Sequence, residues 1–219
     1  MKTLTISDAI RNIDIDDTTQ ELVYSTGYIC DAITEAADNA VPIYYCELDD
    51  YARDNPEMMR RALDEGLAMQ PREYFDYHKS NDYEDYTRHI AAAACYLDVS
   101  DHLYESLNDG LMYIALYTLR SEFGDAAITE SQLNEIRETV EGFDNNDTIE
   151  DVQEAARKVY VSSMFSELVE TQIELDDTAP EDPAYMKLAI EKSRLLHEAV
   201  RSYDVSMNFV SKEVRNITE

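Results

Sequence analysis

The 219-residue sequence contains no tryptophan and few residues that interrupt secondary structure, with only five glycines and five prolines. Because 44% of the residues are hydrophobic, this composition excludes a chain that is disordered along its whole length. The three cysteines, Cys30, Cys46 and Cys95, are an odd number without close spacing. They favour a reducing compartment over a disulfide framework, so we expect a folded cytoplasmic protein.

Long hydrophobic runs are also missing. The longest apolar segments, Leu111–Leu119 and Ile90–Leu97, are far shorter than the roughly 20 residues that a membrane-spanning helix needs. The N-terminal residues contain no apolar stretch of the kind found in a secretory signal peptide. We therefore expect no membrane partner and no secretion signal.

Positive charge is scarce as well. Lysine and arginine total 18 against 47 aspartates and glutamates, which gives a formal net charge of −29 and a pI near 4.2. Nucleic acid and anionic membranes repel such a chain unless it has a basic patch. We therefore expect no direct nucleic-acid partner.

Hydrophobic residues recur at helical spacing along most of the chain, and no stretch alternates in the manner of a strand. Capping-box pairs such as Thr129 with Gln132 and Asp147 with Glu150 mark helix starts. The segment Val41–Tyr45 is the one short β-like run, and we interpret it as an extended connector because a proline follows its first residue. The sequence therefore predicts an all-α multi-helix bundle.

The last third of the sequence predicts a long C-terminal antiparallel helical hairpin. A polar segment, residues 176–182, separates two helical patterns, and Pro183 occupies a first-turn position of the second. That second pattern continues for about 30 residues, which is roughly 45 Å of helix. Pro71 opens a tyrosine-rich segment that we interpret as a linker ending at Asn81. We therefore divide the chain into an N-terminal helical lobe, residues 1–80, and a helical bundle, residues 81–219.

The motifs of common catalytic and metal sites are missing. None of the four histidines has a glutamate three residues before it, as a di-iron bundle requires, and neither HExxH nor CxxC occurs. The five glycines are scattered and form no phosphate-binding loop. Residues 144–150 resemble the start of a calcium loop, but Ile149 and Ala155 stand where that loop needs glycine and glutamate. We therefore expect no catalytic residue, no metal and no cofactor, and a binding protein instead of an enzyme.

One enzymatic alternative stays open. All-α NTP pyrophosphohydrolases hold Mg²⁺ with ExxE and ExxD pairs, because residues three apart share a helix face. The pairs Glu135-x-x-Glu138 and Glu167-x-x-Glu170 could supply the first kind. No pair has the expected order, and Arg137 is the only base in residues 121–156 that could bind substrate phosphate.

The acids are concentrated in two blocks. Residues 98–154 contain fifteen acids against two arginines, and residues 1–50 contain eleven acids against two bases. Acids in the helix predicted after residue 147 recur at helical spacing and so form one stripe. Tyrosines alternate with acids in residues 44–51 and 74–86, and tyrosine is common in binding hot spots. We predict that the partner-binding residues are Glu47, Asp49, Asp50, Asp98, Asp101, Glu105, Glu130, Glu135, Glu138, Glu141, Asp144, Asp147, Glu150, Asp151, Glu154, Tyr74, Tyr77 and Tyr83.

The charge density is comparable with that of DNA. A charge of −29 equals that of about 49 Å of duplex, and a folded chain of this length is about 45 Å across. In composition the sequence resembles the DNA-mimic inhibitors that phages and mobile elements direct against restriction or CRISPR effectors. This likeness implies a protein that fills the basic groove of a nucleic-acid-binding partner. The alternatives are a generic acidic helical adaptor and a protein adapted to high salt; the oligomeric state stays open, a homodimer included.

Overall fold

The computed structural model describes residues 3–79, 81–203 and 206–218, and it confirms the all-α multi-helix fold. Two short strands are present, β1 (Thr3–Thr5) and β2 (Ala127–Thr129), together with a 3₁₀ helix at Leu22–Tyr24. The α-helices are α1 (Ile6–Arg11), α2 (Asp17–Glu21), α3 (Ile29–Ala40), α4 (Tyr45–Asp54), α5 (Pro56–Asp64), α6 (Pro71–His78), α7 (Tyr83–Glu105), α8 (Leu107–Phe123), α9 (Glu130–Val140), α10 (Ile149–Met164), α11 (Ser166–Asp177), α12 (Pro183–Tyr203) and α13 (Met207–Thr218).

Two antiparallel backbone contacts join the first part of the chain to its middle. β1 pairs with β2 so that Thr3 lies opposite Thr129 and Thr5 lies opposite Ala127; α1 and α9 therefore begin at opposite ends of this pair. A single bridge between Tyr28 and Thr148 brings together the starts of α3 and α10, and the Ile149 N–H donates to the Gly27 carbonyl at 2.9 Å. Neither contact has a sequence signature, because each involves at most three residues per segment and the segments are distant in sequence.

The largest hydrophobic core surrounds α8. Its side chains Leu111, Ile114 and Leu119 are fully buried, and they pack with residues of α1, α3, α9 and α10. Gly124, with a φ of 66°, ends α8 in a conformation that favours glycine and turns the chain into β2. This core combines residues before position 40 with residues after position 102, and so draws on both sides of residue 80.

A second cluster, rich in aromatic rings, lies between α6 and the first half of α7. The predicted linker is wrong here, because Pro71 begins a helix that ends at His78. Tyr74 is buried against Tyr86 and Ile90, and burial of these rings stabilises a short helix that its own sequence signals do not predict.

The C-terminal helices α11, α12 and α13 form a third core. α11 and α12 pack as an antiparallel hairpin joined by residues 178–182, as predicted. The long first arm that the sequence predicts from residue 147 is wrong, because α10 ends at Met164 and a separate helix, α11, begins at Ser166. The single long final helix that we predicted is wrong, since α12 ends at Tyr203 and α13 begins at Met207. This break lets α13 fold back, bury Val210 and Val214, and place Glu213 at 2.6 Å from Arg157 of α10.

Candidate partner-binding surface

The most acidic stretch predicted from the sequence folds into the hairpin of α9 and α10. Thr129 and Thr148 begin these helices, and each forms a capping box with the residue three positions later. The apolar residues Ile136 and Val152 face the main core and are fully buried. Because the apolar residues take the inner faces, the acids are left on the outer faces of both helices.

We call the nine acids of this hairpin the α9–α10 surface. Eight of them are exposed and Asp147 is half-buried. Arg137 is the one base between residues 130 and 154, and it lies 3.9 Å from Asp109 of α8. The members of the α9–α10 surface are Glu130, Glu135, Glu138, Glu141, Asp144, Asp147, Glu150, Asp151 and Glu154.

Five glutamates of the α9–α10 surface have no cationic partner among the described residues. No lysine, arginine or histidine of the described chain lies within 4.0 Å of their carboxylates. Three of them recur at intervals of three residues: Glu135 and Glu138 lie on α9, and Glu141 is the residue directly after its end. These five side chains, which present their negative charge to solvent, are Glu130, Glu135, Glu138, Glu141 and Glu154.

The other four acids of the α9–α10 surface hold the backbone. Asp151 accepts from the Thr148 hydroxyl at 2.6 Å and from its N–H at 3.1 Å, and these hydrogen bonds lower the pKa of Asp151. Glu150 accepts from the Gly27 N–H at 3.1 Å, and Asp147 accepts from the Asp144 N–H at 2.7 Å. The sequence-predicted acidic stripe is therefore partly a set of helix caps and loop contacts.

The remaining predicted acids lie elsewhere, on α4 and on the second half of α7. Arginines pair with several of them: Arg88 binds Asp49 through two nitrogens, at 2.9 and 3.0 Å, and Arg61 binds Asp101. The hydrogen bond from Arg88 lowers the pKa of Asp49. Local arginines thus offset much of the charge in this region.

Two other members of this group also have partners, and two do not. Asp50 lies 2.8 Å from Arg53, and Asp98 accepts from the Tyr51 hydroxyl at 3.1 Å. Glu47 and Glu105 are exposed, and no base of the described chain lies within 4.0 Å of either. The α4–α7 acids therefore offer less unpaired charge than the α9–α10 surface does.

The three predicted tyrosines have different environments. Tyr77 and Tyr83 are about 70% exposed, at 71% and 70%, so their rings are available to a partner. Tyr74 is only 7% exposed, because its ring packs between His78, Tyr86 and other aromatic side chains. The Tyr74 ring is therefore not exposed at the surface, although the sequence predicts it as a partner-binding residue.

Sequence reasoning missed a second acidic surface, on α11 and the loop after it. Residues 166–182 contain seven acids and no base, and all seven are exposed. Among the described residues, no basic side chain approaches these carboxylates within 4.0 Å. We interpreted the end of this segment only as a helix breaker, although its lack of any base is a visible signal. The acids are Glu167, Glu170, Glu174, Asp176, Asp177, Glu181 and Asp182.

The geometry of the acids bears on the magnesium alternative. In the described parts of the chain, no group of three or more His, Cys, Asp or Glu side chains is placed to hold a metal ion. The pair Glu135 and Glu138 points to solvent from the outer face of α9. The arrangement of carboxylates on facing helices that the pyrophosphohydrolase alternative requires is not formed by these residues.

None of the helices within residues 3–79, 81–203 and 206–218 combines the length and the apolar composition needed to cross a bilayer. Comparisons of the chain with protein-family models, with curated proteins and with solved structures find no match.

Proposed function

We propose that the protein binds a basic, nucleic-acid-binding partner through the α9–α10 surface and excludes nucleic acid from that partner's groove. The observation that carries this proposal is the group of five exposed glutamates for which the described chain provides no cationic partner. A carboxylate that has no intramolecular base keeps its full charge for an external cation. The proposed activity is stoichiometric inhibition, without turnover.

The spacing along α9 supports the comparison with a nucleic-acid strand. Glu135, Glu138 and Glu141 recur every three residues, which is about 4.5 Å of helix axis. One strand of B-DNA carries a charge about every 3.4 Å. A groove whose lysines and arginines bind consecutive phosphates could therefore bind consecutive carboxylates of α9.

The experiment is a displacement assay. A fluorescent DNA duplex is bound to a restriction endonuclease or a CRISPR effector, and the anisotropy is followed as the acidic protein is added. We expect displacement at about 50 mM salt and much weaker displacement at about 300 mM, because ion pairing between exposed charges is screened.

The decisive variant reverses Glu135, Glu138 and Glu141 to lysine. We expect it to weaken displacement by about tenfold or more, since each lysine would face a cation of the partner. These positions are preferable to Glu150 and Asp151, because both of those side chains accept backbone hydrogen bonds. Replacing them would destabilise the fold, and a folding defect would then be mistaken for a binding defect.

A matched control makes the same change in net charge at exposed acids outside the α9–α10 surface. Asp14, Asp38 and Asp64 are exposed, and no base of the described chain lies within 4.0 Å of them. Their triple lysine variant should displace DNA nearly as well as the wild type. If the two triple variants lose activity equally, only net charge matters; if neither does, the α9–α10 surface is not the binding surface. Either result would overturn the proposal.

A further inference from the structure

A cavity of about 530 Å³ lies among α11, α12 and α13. This volume is within the range of about 300–1,000 Å³ that is typical of sites for small molecules. None of the residues that line the cavity belongs to the α9–α10 surface.

The floor of the cavity is apolar and its mouth is polar. Leu168 and Val214 are buried, and Leu196 is half-buried beside them. Asp176 and Ser211 are exposed at the mouth. A ligand that fits this lining has an apolar body and one polar end.

Lys192 supplies a positive charge in the wall of the cavity. It is half-buried, and no acid of the described chain lies within 4.0 Å of its ammonium group. Arg215 also lines the cavity, but it has a partner of its own. The three helices around the cavity carry six bases and eight acids, five of those acids on α11, so the positive charge is confined to the wall near Lys192.

Asp176 limits the charge of the ligand. Its carboxylate lies at the mouth and accepts a hydrogen bond from the Gln172 amide at 2.6 Å. A ligand with a second negative group would place that group near Asp176, where like charges repel. The lining therefore favours a single negative charge.

We infer that this cavity binds a small organic monoanion, with its apolar body on Leu168, Leu196 and Val214 and its anionic head at Lys192. The ammonium group gains the ionic partner that the described chain does not provide. The body of the ligand gains burial on the apolar floor, at about 25 cal/mol per Å². This site does not depend on the proposed function of the α9–α10 surface.

The test uses three probes of equal length in the intact protein: decanoate, decanol and decyltrimethylammonium. Binding is measured by calorimetry and mapped by methyl NMR. We expect decanoate to bind about tenfold more tightly than decanol, because a charge-assisted contact usually contributes about that much. We expect decyltrimethylammonium not to bind in the cavity. The methyl shifts should concentrate at Leu168, Leu196 and Val214.

Three isosteric or nearly isosteric variants test the charges. Lys192→Met should weaken decanoate binding about tenfold, because it removes the attraction between the ammonium group and the carboxylate. Asp176→Asn should strengthen binding severalfold, because it removes the repulsion between two carboxylates. Lys187→Met is the matched control: Lys187 is an exposed base of α12 that does not line the cavity. It should bind decanoate like the wild type.

Ser211→Trp provides a test that does not remove a charge. Ser211 is exposed at the mouth, so an indole there would obstruct the cavity without disturbing the core, and decanoate binding should be lost. Circular dichroism would verify that each variant is folded. Equal binding of the three probes, equal effects of Lys192→Met and Lys187→Met, or methyl shifts outside the cavity would each overturn the inference.

Discussion

At the scale of single residues, burial and local partners decide what each ionisable group contributes. Glu135 and Asp151 lie on two helices that pack against each other, yet Glu135 has no basic partner in the described chain and Asp151 caps α10. Lys192 and Arg88 differ in the same way, since Arg88 binds Asp49 and Lys192 lies in the wall of a cavity. Residue type alone therefore does not reveal which charges are available for binding.

His89 should make stability depend on pH. Its Nε2 accepts from the Met69 N–H at 3.1 Å, and burial, together with the nearby His78, lowers the pKa of His89 below the ordinary value of 6.5. The unfolded chain then binds the proton more readily than the folded chain does. The stabilisation is complete above pH 6.5 and is lost as the pH falls through the lowered pKa.

Urea unfolding at several pH values between about 7.5 and 5.5 checks this prediction, with His89→Gln as the test and His197→Gln as the control. His197 is exposed on α12 and should leave the wild-type pH dependence intact. The His89→Gln variant should show a weaker dependence of the free energy of unfolding on pH than the wild type does. An unchanged slope in the His89 variant would show that other groups cause the acid sensitivity.

At the scale of elements, close backbone approach fixes how α8 packs against the N-terminal segments. A Cβ at Gly110 would lie 3.0 Å from Thr19 Cγ2 and 3.3 Å from Leu22 Cδ1. Both neighbours are buried, so they have little room to move.

Gly110→Ala should therefore destabilise the protein by about 1–3 kcal/mol, although alanine is the better helix former by about 1 kcal/mol. Asn108→Ala, at an exposed position of the same helix, should change the free energy of unfolding by less than about 0.5 kcal/mol. Denaturant unfolding of both variants measures the difference. A more stable Gly110 variant would mean that α8 can shift away from Thr19.

The helices that the sequence predicted best are those with local signals. Thr129 with Gln132 begins α9 as expected, and Pro183 begins α12. The start of α10 was predicted one residue too early, because Thr148 with Asp151, and not Asp147 with Glu150, forms the capping box. Both choices satisfy the same spacing rule, and only the tertiary contact of Glu150 with Gly27 separates them.

The features that the sequence did not predict depend on distant contacts. α6 is stabilised by aromatic packing with α7, and β1 is defined only by β2. For the candidate surface, the sequence predicted a stripe of four acids on the helix after residue 147, and three of them are exposed in the structure. It could not show that Arg88 and Arg61 offset the acids of α4 and α7, because those pairs join residues about 40 positions apart.

At the scale of the whole molecule, the net charge of −29 opposes the compact state by self-repulsion. Salt should therefore raise the melting temperature, and most of the rise should occur below about 0.3 M, because the Debye length has already shortened to about 10 Å at 0.1 M. Differential scanning calorimetry in KCl measures it. A melting temperature that keeps rising steeply toward molar salt would instead favour the high-salt alternative, and glucose at matched osmolality controls for general solute effects.

The pairing of β1 with β2 also constrains how the protein matures during translation. More than 120 residues separate Thr3 from Thr129, so roughly 6–25 s of synthesis pass before the first strand can find its partner. Throughout that interval Ile6, Ile29 and Ile33, which end fully buried, have no completed core to enter. We expect the acidic residues interspersed among them to keep the unfolded segment soluble until the later helices are made.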